Sequence, residues 1–219
     1  MVRILEPSVE ILTPLDGEAI LKHLELCCRN CYLSEGNITE GSAEKMLKKI
    51  IELDHTAMLE HFVVTVKIMA DTGVLKDITR HRVCSFAVES TRYNCYAKDK
   101  FGKEITVMNP DILFNPDDEG YQVWLKCMED IEKAYMKLSE MGYKPDVCRM
   151  LLPHSTKASI IMTANIREWR HIFKLRCAPQ AHPTVQQIMK MVLKSLHDQI
   201  PVVFDDVYEK FITNQTGES

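Results

Sequence analysis

Between His61 and Ala70 the residues alternate: Phe62, Val64, Val66 and Ile68 fall on one face, and Val63, Thr65 and Lys67 fall on the other. This period-two pattern of β-branched side chains predicts a half-buried strand, and a strand needs partners for its backbone groups, so the chain must build a sheet. Two short opening pieces, Val2 to Leu5 and Glu10 to Leu12, and a later one, Ala158 to Thr163, supply extended candidates, with a further short strand around Ile105 to Met108 inside a loop rich in Asp, Asn and Pro. Most of the rest has helical spacing. Leu15 to Arg29 repeats at Ile20, Leu21, Leu24 and Cys28. Ser42 to Leu53 carries Met46, Leu47, Ile50 and Ile51, with Ser42 as its expected N-cap. From Glu119 to Met141 apolar residues recur at three and four until Gly142 closes the run. Gly73 is expected to turn the chain into a short helix ending near Arg80, and helices follow over Ile166 to Leu175, Val185 to Leu196 and Pro201 to Phe211. The expected fold is mixed α/β (α+β), one compact domain over residues 1–219 with a central sheet flanked by helices.

Composition narrows the function classes. The 219 residues carry 27 Lys+Arg against 31 Asp+Glu, a net charge of −4, which argues against a protein that coats nucleic acid and leaves room only for a local basic pocket. No apolar run approaches the roughly 18 residues of a membrane span, and the charged start MVRILEPSVEIL lacks the apolar core of a signal peptide, so a cytoplasmic protein with no membrane partner is expected. The eight cysteines are expected to be reduced thiols. Cys27, Cys28 and Cys31 could form half of a zinc site, but no second pair completes it, and small residues buried on a helix are the stronger reading. His55 and His61 have the wrong spacing for one helix face and lack a third ligand, and His81 and His182 stand alone, so no metal is expected.

The chemistry is concentrated in RHRVCSFAVESTRY, residues 80–93. Arg80, Arg82 and Arg92, with His81, Ser90 and Thr91, form a dense set of anion-binding donors around the one acid, Glu89. Cys84, Phe86, Ala87 and Val88 place them against a core, where idle charges are costly. A phosphate site is the natural inference, with a charged helix end as the bland alternative. Farther on come Arg149 before Leu151-Leu152-Pro153, and Asn165-Ile166-Arg167-Glu168-Trp169-Arg170-His171 followed by Lys174 and Arg176. Arg167, Arg170 and Lys174 share a helix face, and a solvated ridge balanced by Glu168 explains that spacing as well as a binding surface does.

These segments together resemble one family. RHR, then seven intervening residues, then Ser90, with Arg92 and Tyr93 after it, resembles the signature of flavin-dependent thymidylate synthases. Asp54-His55 to Glu60-His61 resembles the family's HxxxxEH, Cys148 to Pro153 its ARxxLP, and Met162 to Arg176 its TxNxREWxxFxxLR. The resemblance implies a homotetramer with shared active sites and bound FAD, using NADPH and 5,10-methylenetetrahydrofolate to turn dUMP into dTMP without an enzyme nucleophile. Carried over by position, Arg176 is the catalytic candidate, on the uracil ring. Ser34, His55, Arg80, His81, Arg82, Glu89, Asn165, Arg167 and His171 are the flavin-side candidates. Asp77, Ile78, Thr79, Arg80, Glu89, Ser90, Thr91, Arg92, Arg149 and Arg176 are the dUMP-side ones. The chain departs from the common pattern at Ala87-Val88, where an Asn-Glu pair is frequent, at Asp77, at Ala57 and at Ala181 to Thr184. A relative acting on another pyrimidine nucleotide would differ at such base-side positions.

Overall fold

A computed structural model describes residues 2–99 and 102–214. The strands are β1 (Arg3–Leu5), β2 (Ser8–Ile11), β3 (Val63–Asp71), β4 (Ser85–Val88), β5 (Thr106–Met108) and β6 (Lys157–Asn165). The helices are α1 (Gly17–Asn30), α2 (Ser42–Glu52), α3 (Thr72–Ile78), α4 (Glu119–Glu140), α5 (Pro145–Cys148), α6 (Ile166–Arg176), α7 (Pro183–His197) and α8 (Asp205–Tyr208). A two-stranded parallel sheet pairs β1 with β5, and a four-stranded sheet runs in the order β2-β3-β6-β4. The expected mixed fold is the one found. The chain divides into two compact units. The first comprises Met1–Ser8, Ile68–Arg80 and Ala87–Ile160, and the second Val9–Lys67, His81–Phe86 and Ile161–Ser219.

In the first unit, α4 lays its apolar stripe over β1 and β5: Met128 and Tyr135 are buried with Val2, Tyr96, Ile105, Val107 and Cys148. Its buried Glu132 accepts a hydrogen bond from the Ile105 amide at 2.9 Å, so the acid serves the backbone beside β5. Gly142, at φ +87°, ends the helix as expected. Gly73 does not make a turn. It lies inside α3, which starts directly from β3 because Asp71 caps the Val74 amide at 2.8 Å. A Cβ on Gly73 would sit 2.9 Å from that capping oxygen, so glycine keeps the cap in place.

The core of the second unit gathers α1, α2, α6 and α7, with Leu24, Leu47, Trp169, Phe173, Val192 and Leu196 fully buried. Trp169 donates its indole N–H to the Val64 carbonyl at 3.1 Å and stacks on Phe173. Ser42 is not the cap of α2. Gly41 takes the cap position at φ +72°, and the Ser42 hydroxyl lies 2.9 Å from the buried Glu25 carboxylate, which also accepts from Arg29 at 2.9 Å. A buried anion is the more demanding partner, and it draws the hydroxyl away from the helix end. The expected helix from Pro201 to Phe211 is three short pieces: a 3-10 turn at Pro201–Val203, α8, and a π turn at Glu209–Thr213. All eight cysteines are free. Of the cluster, only Cys28 is buried, with its thiol pushed up to about 11 by burial, while Cys31 is exposed.

Candidate functional site

In the first unit, α3 ends at the buried Ile78, and the Thr79 hydroxyl closes the helix by donating to the Leu75 carbonyl at 2.8 Å, which leaves Arg80 exposed just beyond it. Asp77, on the last turn, is half-buried. β4 hands the chain to a turn fixed at Glu89. The Glu89 amide donates to the Ser159 carbonyl at 2.8 Å, and its carboxylate accepts from Lys157 at 2.7 Å and from the Ser159 amide at 3.1 Å. Glu89 therefore ties the signature to β6. After it, the Ser90 hydroxyl accepts from the Arg92 amide at 3.3 Å and the Ser90 carbonyl from the Asn94 amide at 3.3 Å, a compact turn that presents Ser90, Thr91 and the exposed Arg92 together. Arg149 is exposed on a 3-10 turn rooted by the buried Cys148. Among the described residues no carboxylate lies within ion-pair distance of Arg80, Arg82, Arg92 or Arg149, whereas Arg29, Arg167 and Arg170 each have one. Guanidinium groups without counter-ions favour an incoming anion.

In the second unit, β6 ends at Asn165, whose side chain caps α6 by accepting from the Glu168 amide at 2.8 Å. The ridge expected on α6 does not form. Arg167 is exposed and paired with Glu60, but Arg170 is buried, bound in fork geometry by Asp206 at 2.6 and 2.8 Å, with its guanidinium also on the Val203 carbonyl. Ile166, Trp169, Phe173 and Cys177 form the inward stripe of α6, and Arg170 lies on that stripe, so a core carboxylate had to meet it. Burial works against the Asp206 anion, but the Arg170 hydrogen bond and charge prevail and hold its carboxyl below the usual range.

His81 is buried, and the Arg176 Nε–H donates to its Nε2 at 3.0 Å. A guanidinium only donates, so Nε2 keeps its lone pair and the ring proton of the neutral imidazole is on Nδ1. Burial first, then the charges of Arg176 and His171, push His81 down to about 4, so it is neutral at pH 7. Nδ1 faces the Glu168 carboxylate at 3.6 Å, and the His171 ring stands edge-on to His81 with centroids 6.1 Å apart. His81, Glu168 and His171 are near enough to suggest a metal triad, but Nδ1 carries a proton and a guanidinium sits on the other nitrogen, so the donor set does not fit a cation. His55, exposed, opens the 3-10 turn Thr56–His61, its amide donating to the Ile50 carbonyl at 2.8 Å. With Arg167 it lines a cavity of ≈ 340 Å³ whose walls include Tyr32, Met46, Ile50 and Met58. Apolar walls with a few polar groups suit a flat ring system. Ser34 lies at a 3-10 turn, its hydroxyl 3.5 Å from the Arg29 carbonyl. Sequence reasoning did not foresee the Arg170–Asp206 pair, the cavity walls, or Glu168 facing His81.

Fold and site define a protein that offers exposed arginines without counter-ions among the described residues and, in its second unit, both a buried imidazole bonded by a guanidinium and an apolar cavity lined by His55 and Arg167. The family described as thymidylate synthase complementing protein, Thy1, matches residues 18–202. The chain belongs to this family, the flavin-dependent thymidylate synthases. It is 30% identical over 160 residues to the flavin-dependent thymidylate synthase of Pyrococcus furiosus, a match covering 73% of this chain and 64% of the relative, so it spans less than two thirds of that protein's length. Its fold is similar to a UMP/dUMP methylase, PolB, from Streptomyces cacaoi bound with 5-Br dUMP, with a TM-score of 0.75 at 20% identity, covering 96% of this chain and 98% of that one. It is also similar to thymidylate synthase X from Helicobacter pylori with FAD and dUMP, with a TM-score of 0.73 at 22% identity, covering 92% and 98%.

Proposed function

We propose that this chain makes dTMP from dUMP, taking a methylene group from 5,10-methylenetetrahydrofolate and electrons from NADPH through bound FAD. The observation that carries this reading is that Arg80, Arg82, Arg92 and Arg149 lack carboxylate partners among the described residues while sitting in the family's motif positions. Ser90, Thr91, Arg92 and Arg149 hold the dUMP phosphate, and Asp77, Ile78, Thr79 and Arg80 lie toward the base. Glu89 supports these donors through Lys157 and the β6 backbone. His55, His81, Arg82, Asn165, Arg167 and His171, with Ser34 at the phosphate end, hold FAD, and the apolar cavity beside His55 and Arg167 fits its ring system. Bound FAD supplies the hydride that completes the methyl group. Arg176 places a fixed positive charge where electron density moves onto the uracil carbonyl or N3 as C5 becomes nucleophilic.

The Ser90 hydroxyl and the Cys84 thiol of the signature are poor nucleophiles for attack on C6. The Ser90 hydroxyl accepts from the Arg92 amide, and among the described residues no base is hydrogen-bonded to it. Burial pushes Cys84, inside the signature, up to about 12. The active enzyme is a homotetramer with shared sites, cytoplasmic, with Arg149 reaching a neighbour's nucleotide, and the family match over residues of both units supports reading them as one functional domain. No helix among the described residues is long and apolar enough to cross a membrane.

The test is dTMP formation with dUMP, methylenetetrahydrofolate, NADPH and FAD, one component omitted per control. Product only in the complete mixture supports the reading. Flavin-loaded protein that methylates UMP and not dUMP would move the substrate to the ribonucleotide, with Asp77 and Ala87-Val88 the positions to exchange.

A further inference from the structure

Two of the charged side chains on α6 have their own partners: Arg167 is held by Glu60 and Arg170 by Asp206. Glu168, between them in sequence, takes neither arginine. Its side chain is only 14% exposed, burial raises its carboxyl, and the Nδ1 of His81 faces it at 3.6 Å. A largely desolvated carboxylate is costly unless a donor answers it, and Nδ1–H is the donor that the Arg176 contact makes available.

We infer that Glu168 is a positioning residue for Arg176, acting through His81: by facing Nδ1–H it holds the imidazole in the tautomer whose Nε2 lone pair receives the Arg176 Nε–H. This rests on the proposed role of Arg176 at the uracil. The opposite tautomer would turn an N–H toward the guanidinium, donor against donor, and push Arg176 off its line. Among the described residues, α6 sets three groups against the imidazole: Glu168 at Nδ1, Arg176 at Nε2, and His171 edge-on. Because Asn165 caps the Glu168 amide at 2.8 Å, the carboxylate is carried by the first turn of the same helix whose last turn carries Arg176. The helix thus fixes both ends of a relay that passes through a residue of the signature.

The experiment compares Glu168→Leu with Glu168→Gln. The leucine variant is expected to lose about tenfold or more in kcat, with the dUMP KM and flavin content within about twofold of wild type. Glu168→Gln, whose amide oxygen can face Nδ1–H as the carboxylate does, is expected to recover most of that rate. On an Arg176→Lys background Glu168→Leu adds less than about twofold, because both changes remove one function. Wild-type kcat in Glu168→Leu overturns the inference, as does an equal loss in both variants accompanied by loss of flavin. A second readout needs no turnover. Nitrogen-15 NMR of histidine-labelled protein should show a lone pair on His81 Nε2 in the wild type and a share of protonated Nε2 in Glu168→Leu; a proton there in the wild type, or the same tautomer in both, overturns the inference. If the wild type makes no dTMP, the functional reading falls and the NMR result alone decides this one.

Discussion

The arginines of the signature and Arg170 of α6 are one residue type put to opposite uses. Arg170, buried, meets Asp206 in a two-pronged pair, and Arg167 meets Glu60 at the surface. Arg80, Arg82, Arg92 and Arg149 have no such acid among the described residues. A buried guanidinium held by its own carboxylate is part of the scaffold, one left without has its donors available to a ligand, and the exposed Arg167 keeps donors beyond the one that meets Glu60. Burial together with a counter-ion, rather than the density of positive charge along the sequence, marks the structural arginine.

Four substitutions sharpen or break this contrast. Arg176→Ala, removing the charge proposed to act on the uracil, should cost about 100-fold or more in turnover at saturating dUMP, and full turnover would remove Arg176 from the chemistry. Asp206→Ala leaves Arg170 buried without its acid. Because Asp206 is itself half exposed, the expected loss of folding stability is about 2–3 kcal/mol, read from the urea midpoint, and no loss would make Arg170 a spectator. Arg92→Ala should weaken dUMP binding by about tenfold with flavin content intact, whereas an effect on stability and none on affinity would put Arg92 in the scaffold class. Glu60→Ala, breaking the exposed pair, should change stability by less than about 1 kcal/mol.

Acid sharpens the same contrast. His81 is held down to about 4, below its ordinary 6.5, so between these values the unfolded chain binds the proton and the folded chain does not. Stability from this residue is complete above pH 6.5 and is lost as pH falls toward 4. Near pH 5 unfolding of the wild type should take up about one proton more than unfolding of His81→Gln, measured from the pH dependence of the urea midpoint. Equal uptake would mean the imidazole is solvated.

Much of this was legible in the sequence. The alternation at Phe62 to Ile68 and the three-and-four spacing of α4 each follow from burying one face, and each was found where the pattern put it. RHR, Ser90 and Arg92 were legible because few surfaces gather so many anion donors. Three features were not. Spacing counted Arg170 with Arg167 and Lys174, because a helical wheel does not show that Asp206, 36 residues on, comes to meet it. β4 was hidden because its four residues are mostly exposed and so show no buried alternation. Glu168 looked like a balance for its neighbouring arginines, and only the partners of those arginines, far away in sequence, show that it faces His81.

The Glu25–Ser42 contact has a consequence for how the chain reaches this state. It closes a loop of only 17 residues between α1 and α2, whereas the hydroxyl pair Thr65–Thr163 joins β3 to β6 across 98. Loop closure scales with the logarithm of length, so the longer closure costs about 1.5 kcal/mol more entropy before any contact rewards it. The α1–α2 hairpin therefore forms at less entropic cost than the β3–β6 pair, and pulse-labelled hydrogen exchange should find its amides protected before those of β3 and β6. On that view the latch around Glu25 is a starting point for folding, and the strands that lead to the candidate site close late.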